Sequence, residues 1–227
     1  MSALKELAET ARAELAEATA TEALAWTAET FGDSWIVASN MQDAVLIDLA
    51  VGVKPDVDVL FLETGYHFAE TIGTRDAIEV VYPRLHVIDA AAEQSVAEQE
   101  AEFGLLNRTD PSRCCHLRKV VPLQRTLANY EAWVTGLRRA DGPTRADTPI
   151  VQWDERNGLV KVNPIAAWTD EEFRAYVVER GILENPLVAA GYPSIGCAPC
   201  TAKPLPGADL RSGRWAGLTK TECGLHG

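Results

Sequence analysis

The sequence predicts an α/β fold, a mainly parallel sheet flanked by helices on both faces. Two observations carry this. Between residues 34 and 137, short apolar strands alternate with helical stretches, and strands joined by such crossovers run parallel. The composition, 47% hydrophobic and 24% charged over 227 residues, is that of a folded globular chain long enough to bury a core. Taken in order, residues 2–30 read as one amphipathic helix, with Leu4, Leu7, Ala8, Ala11 and Leu15 on one face. Residues 34–39 (SWIVAS) read as a strand, 41–53 as a helix, 58–63 (DVLFLE) as a strand and 67–82 as a helix. Residues 85–89 and 132–137 supply two further strands, with a helix over 113–129 between them that starts at a cysteine pair. Residues 149–165 then suggest a hairpin turning at Asn157-Gly158. A helix over 169–181 is bounded by Thr169 as N-cap, Glu172 three residues on and Gly181 as stop. From Gly196 onward, six glycines and three prolines predict loops and a mobile tail. The organisation expected is one domain over 1–227, with an N-terminal helix (1–30) and a flexible C-terminal tail (203–227).

Sheets of this kind bind ligands beyond the carboxyl ends of their strands, which directs attention to residues 39–43, 63–68 and 136–145. Charge points to the same region. The net charge is −12, which argues against nucleic acid as a partner, since that binding rests on Lys and Arg neutralising phosphates. The charge is unevenly spread: residues 1–112 carry 6 basic and 21 acidic side chains, whereas 113–145 carry 7 basic and 2 acidic. A basic middle in an acidic chain suggests a focused site for a small anion, the alternative being a solvated basic face. No apolar run is long enough to cross a membrane. The acidic start lacks a secretory signal pattern, so a cytoplasmic location is expected.

Four of the five cysteines fall into two tight pairs, Cys114-Cys115 and Cys197-x-x-Cys200, and Cys223 stands near the end. In a cytosolic chain, metal ligation or thiol chemistry is a better expectation than disulfides. Adjacent cysteines are awkward ligands for one small ion, whereas an iron–sulfur cluster offers a separate iron to each thiolate. Spacing alone favours a cluster and leaves structural zinc and unligated thiols open.

The segments FLETGYHFAET (61–71), CCHLRKVVPL (114–123), GLRRADGPTR (136–145), YPSIGCAPCT (192–201) and GRWAGLTKTECGLH (213–226) resemble, in that order, the motifs of the assimilatory sulfonucleotide reductases. The two cysteine pairs together resemble more narrowly the iron–sulfur branch, the adenylyl-sulfate (APS) reductases. The loop SNMQD (39–43) departs from the glycine-containing phosphate loop common in that family. The resemblance implies an adenine nucleotide alpha hydrolase-like (PP-loop-type) fold. It implies reduction of adenosine 5′-phosphosulfate to sulfite and AMP, in sulfate assimilation and cysteine biosynthesis, through an S-sulfocysteine on Cys223. It implies thioredoxin or a glutaredoxin as reductant, and a [4Fe-4S] cluster on Cys114, Cys115, Cys197 and Cys200.

On the same ground Lys119, Arg145, Arg211, Arg214 and His226 are expected to bind the substrate's charged groups, and Ser39 and Gly136 its adenosine. Asp43 is expected to cap a helix rather than touch ligand, and His67 and His116 to be helix-start residues. A homo-oligomer is compatible with this reading. The rival enzymes are a phosphoadenylyl-sulfate (PAPS) reductase, which the four cysteines disfavour, and a tRNA-thiolating PP-loop enzyme, which SNMQD and the acidity disfavour. A zinc-stabilised binding module would leave the ECGLH tail unexplained.

Overall fold

The computed structural model describes residues 2–215, 220, 224 and 225. Six strands form one sheet: β1 (Trp35–Ser39), β2 (Asp58–Phe61), β3 (His86–Asp89), β4 (Ala132–Thr135), β5 (Val151–Asp154) and β6 (Leu159–Val162). Their spatial order is β3-β2-β1-β4-β6-β5. All neighbouring pairs are parallel except the β5–β6 hairpin at one edge. The expected mainly parallel sheet therefore stands. The strand order reverses between β1 and β4, the position at which doubly wound sheets open a crevice.

Strand alternation sorts the core into two layers. One face carries Val37, Val59, Phe61, Val134 and Val160 against the helices α2 (Ala20–Phe31) and α3 (Val45–Val53). The other carries Ile36, Leu60, Trp133 and Leu159 against Leu123 and Leu127 of a later helix. Trp35 and Trp133 are among the largest wholly buried side chains. Each such residue contributes on the order of 2–3 kcal/mol through apolar area removed from water.

Residues 2–30 form two helices rather than one, α1 (Ala3–Glu14) and α2. The break has a local cause: Thr19 takes an extended conformation and makes a reciprocal capping box with Glu22, which starts a new helix. Between α4 (Ala69–Val81) and β4, the chain adds α5 (Val96–Phe103) and α6 (Leu106–Thr109). The first is opened by a second capping box, Ser95 with Glu98.

The helix expected over 113–129 is present but interrupted. It runs as α7 (Pro111–Cys115), a π-helical turn (His116–Val120) and α8 (Val121–Leu127). The Val121 N–H reaches five residues back to the His116 carbonyl. Pro122 has no N–H to give the Arg118 carbonyl and its ring would collide with it in a regular helix, so the wider turn accommodates it. The helix α9 (Asp170–Arg180) has the caps expected of it, the Thr169–Glu172 box and a left-handed Gly181. A last short helix, α10 (Pro186–Ala189), precedes the CxxC segment.

Candidate active site

A cleft of about 350 Å³ opens at the carboxyl ends of β1, β2 and β4. Its walls include Ser39, Lys119, Gly136, Arg145, Arg211 and Arg214. Six of the seven residues expected to hold substrate thus come together from distant parts of the chain. The seventh, His226, and the expected nucleophile Cys223 lie outside the described residues.

The loop after β1 is built without glycine by three side-chain-to-backbone turns. Ser39 Oγ accepts the Met41 N–H at 3.1 Å, Asn40 Oδ1 that of Gln42 at 3.1 Å, and Asp43 Oδ1 that of Val45 at 3.1 Å. Met41 adopts φ 58°, in the left-handed region, and its side chain is wholly buried. Burying the thioether chain offsets a backbone strain of roughly 1–2 kcal/mol. Gln42 ties this loop to the far wall, donating to the Pro193 carbonyl at 3.2 Å and accepting the Ile195 N–H at 3.0 Å. Asp43 accepts the N–H of Val45, the first residue of α3, from one position ahead of the N-cap Ala44, and it lines the cleft, which the sequence did not lead us to expect. Burial raises its carboxyl to about 6, with Glu184 adding to the rise while the Val45 N–H and Arg138 oppose it.

The turn after β2 is held by a buried arginine. Arg118 donates from Nε to the Thr64 carbonyl, and from Nη1 to Gln94 O at 3.2 Å and Gln99 Oε1 at 3.1 Å. Glu63 Oε1 accepts the Gly65 N–H at 2.6 Å. Gly65 has φ +72°, and a Cβ there would stand 2.5 Å from Val96 Cγ2 and 3.1 Å from Arg118 Nη2, so conformation and space both require glycine. His67 lies just ahead of α4 with Nε2 3.1 Å from the Thr64 N–H and 3.0 Å from the Leu62 carbonyl. Burial lowers its pKa, and the nearby Glu63 works the other way. His116 is exposed and lines neither cavity.

On the third wall Asp141 braces two arginines, Arg145 at 3.2 Å and Arg138 at 2.9 Å. Gly136 meets its surroundings only at ordinary contact distance, Leu46 at 3.8 Å, so the space its missing side chain frees belongs to the cleft. Arg214 donates to Ser194 Oγ at 3.3 Å and the Ile195 carbonyl at 3.2 Å, and its guanidinium lies 4.7 Å from the Trp215 ring centroid. It passes directly over Gly196, where a Cβ would come within 2.2 Å of Nη2.

The four cysteines Cys114, Cys115, Cys197 and Cys200 line one small pocket beside the cleft. Its walls also include Tyr66, Pro111, Pro199, Arg118 and Trp215. The π-helical turn puts Cys114, Cys115, Arg118 and Lys119 on the buried side of one helical segment. Opposite, the CxxC segment is zipped to the start of the tail. Ala202 N–H donates to Gly213 O at 2.8 Å, Trp215 N–H to Cys200 O at 3.0 Å, and Thr201 pairs with Arg214. Burial pushes Cys114 up to about 11, and the fields of Cys115, Cys197 and Cys200 add to it. Cys200 is raised by burial and by Cys197 and Cys115, against the pull of Lys119 and Arg214. Thr64, Lys119 and Cys197 line both cavities, so cleft and thiol pocket share a wall. Among the described residues, no group of three or more His, Cys, Asp or Glu is set to hold a single metal ion.

Several organising residues escaped the sequence reading. Arg118, Gln42 and the Arg138–Asp141 pair act through long-range contacts that no local pattern announces. Pro122 is the exception, because a proline inside a helical stretch signals the irregular turn.

Residues 34–203 match the phosphoadenosine phosphosulfate reductase domain. The chain belongs to that family. It is 64% identical over 224 residues to the adenosine 5′-phosphosulfate reductase of Mycolicibacterium smegmatis, covering 98% of this chain and 94% of that one. The Mycobacteroides abscessus protein of the same name is 63% identical over 227 residues, with 100% and 95% coverage. Among solved structures, the phosphoadenylyl-sulfate (PAPS) reductase of Candida auris in its phosphate complex superposes with a TM-score of 0.73. It is 26% identical, over 87% of this chain and 97% of that one. The FMN adenylyltransferase of Candida glabrata, in complex with FAD and inorganic pyrophosphate, shares the fold at 13% identity and a TM-score of 0.56, over 88% of this chain and 74% of that one.

Proposed function

We propose that this chain reduces adenosine 5′-phosphosulfate to sulfite and AMP, with Cys223 as nucleophile. The observation that carries the reading is the shared wall: a nucleotide-sized cleft lined by Lys119, Arg145, Arg211 and Arg214 abuts a pocket lined by four cysteines. The relatives named as reductases of that same substrate support it.

The cleft's cations suit a ligand bearing phosphate and sulfate. Guanidinium forks match such groups bidentately, and Lys119 adds a point charge beside the thiols. Ser39 and Gly136 line the adenosine end in this reading. The Cys223 thiolate attacks the sulfur of the phosphosulfate. A carbon-bound sulfur then gains an S–S bond, the sulfur–oxygen bond to phosphate breaks, and AMP leaves with the electron pair. Binding AMP's phosphate among arginines stabilises the charge that develops on it. A dithiol of the thioredoxin or glutaredoxin class then attacks Cys223 Sγ. This expels sulfite and leaves a mixed disulfide, which the second thiol resolves, so the dithiol supplies both electrons.

The donor set of the second pocket fits a [4Fe-4S] cluster held by Cys114, Cys115, Cys197 and Cys200. Two of these are adjacent, an arrangement that separate irons accept and one small ion takes poorly. Such a cluster would supply a fixed field felt at the sulfate end through Lys119, with no electron transfer. Five cysteines used for metal and thiol chemistry rather than disulfides suit the reducing cytoplasm. No helix among the described residues is long and apolar enough to cross a membrane.

The test is product analysis with a dithiol, offering APS and PAPS separately. Sulfite and AMP from APS are expected, and turnover of PAPS in preference would overturn the substrate assignment. Lys119→Ala should cut the rate at least roughly 100-fold, the scale of one transition-state charge contact, while iron and sulfide content stay at the wild-type level. Unchanged kinetics would remove Lys119 from the mechanism.

A further inference from the structure

At the cleft's rim, two tail residues rest on the body of the protein. Arg156 Nη1 donates to the Gly224 carbonyl. Leu225 packs on the apolar cluster formed by Ile36, Leu60, Leu123, Trp133 and Leu159, and it lines the cleft. Gly224 has φ +78°, a left-handed turn that favours glycine and sends the chain from Arg156 toward that seat.

Arg156 stands on a braced turn. Asp154 accepts the Asn157 N–H at 3.1 Å, the Asn157 side-chain amide at 2.7 Å and, through its carbonyl, the Gly158 N–H at 2.8 Å. The guanidinium is therefore offered from a fixed point on the β5–β6 hairpin. Upstream, the tail is tied at Trp215 to the Cys200 carbonyl. Described residues on either side of Cys223 are thus held to the body, Trp215 at the thiol pocket and Leu225 at the cleft.

We propose that Arg156 and Leu225 form a latch that seats the tail for sulfur transfer, which makes them positioning residues. Leu225 lies two residues beyond Cys223, so the two Cα atoms can be no more than about 7 Å apart. Fixing Leu225 at the cleft wall confines the thiol to the neighbourhood of bound substrate and removes most of the search that a free tail would make. The inference rests on the reductase reading for its consequence, but the docking itself can be measured without substrate turnover.

The experiment compares Arg156→Ala, Arg156→Lys and Leu225→Ala with wild type in the iron-loaded protein. One arm follows S-sulfonation of Cys223 in a single turnover at saturating APS. The other follows trypsin cleavage after Lys220 without substrate, read by the mass of the released C-terminal peptide. Loss of one charge-assisted bond at an exposed site should slow transfer roughly five-fold and speed cleavage by a similar factor, with Tm and APS affinity unchanged. Arg156→Lys should recover much of both, and Leu225→Ala should exceed Arg156→Ala. Wild-type transfer and cleavage in Arg156→Ala would overturn the latch, as would faster transfer in Leu225→Ala, which would mark Leu225 as a plug. Failure of wild type to form the adduct would sink the reductase reading, and the cleavage arm would still decide the docking.

Discussion

Replacing Gly196 with alanine would push the Arg214 guanidinium aside with Arg214 itself unchanged. An alanine Cβ would lie 2.2 Å from Arg214 Nη2, 2.4 Å from Cζ and 3.0 Å from Nε. Those atoms are the free end of a long side chain, so the arginine yields and the backbone stays. To reach ordinary contact it must move by more than about 1 Å, breaking its bonds to Ser194 Oγ and Ile195 O and its stacking on Trp215. A charged hydrogen bond to substrate is worth roughly 1.5–3 kcal/mol, so kcat/KM for APS should fall about 10- to 150-fold. The backbone at 196 has no positive φ to strain, so Tm should barely change. The assay is a double-mutant cycle with Arg214→Ala. If Gly196 acts only by giving Arg214 room, its substitution has little further effect once that side chain is gone. An equal loss in both backgrounds, or no loss in wild type, would refute the reasoning.

Two other positions give sharp expectations. Gly65→Ala combines a left-handed backbone with a Cβ 2.5 Å from Val96 Cγ2, so it should cost roughly 2–4 kcal/mol in denaturant unfolding; wild-type stability would show that the turn is not held as described. Asp43, raised to about 6 by burial, titrates above its unfolded value of 3.8. Its contribution to stability is present below pH 4 and lost as pH rises through 6. Asp43→Asn should therefore gain on wild type by roughly 2 kcal/mol between pH 4 and pH 7, and parallel stability–pH curves would contradict this.

The parts of this molecule written in local pattern could be read from the chain. The strand–helix alternation, the Thr169 cap and the cleft-lining segments after β1, β2 and β4 all follow from periodicity and turn chemistry. Two local signals were present but not used: the Thr19–Glu22 box that splits the first helix, and Pro122, which forces the π-helical turn. The four cysteines were legible because their spacing is unusual, and the cleft's cations because the segments that carry them resemble a known family's motifs. What holds them was not. Arg118 reaches Thr64 and Gln94, and Gln42 reaches Pro193 and Ile195, across separations that no window spans. Met41 is the instructive case. The loop lacks the glycine expected for its conformation, yet it reaches φ 58° because the core takes the side chain. There tertiary packing overrides backbone preference.

In the proposed reaction Cys223 takes the sulfonate from APS. Mass analysis of the intact protein and of its C-terminal peptide, after one turnover without any dithiol, tests it most directly. A single added sulfonate on Cys223 is expected, formed from APS in preference to PAPS and absent in Cys223→Ser. No adduct from either nucleotide, or an adduct on one of the four paired cysteines, would contradict it.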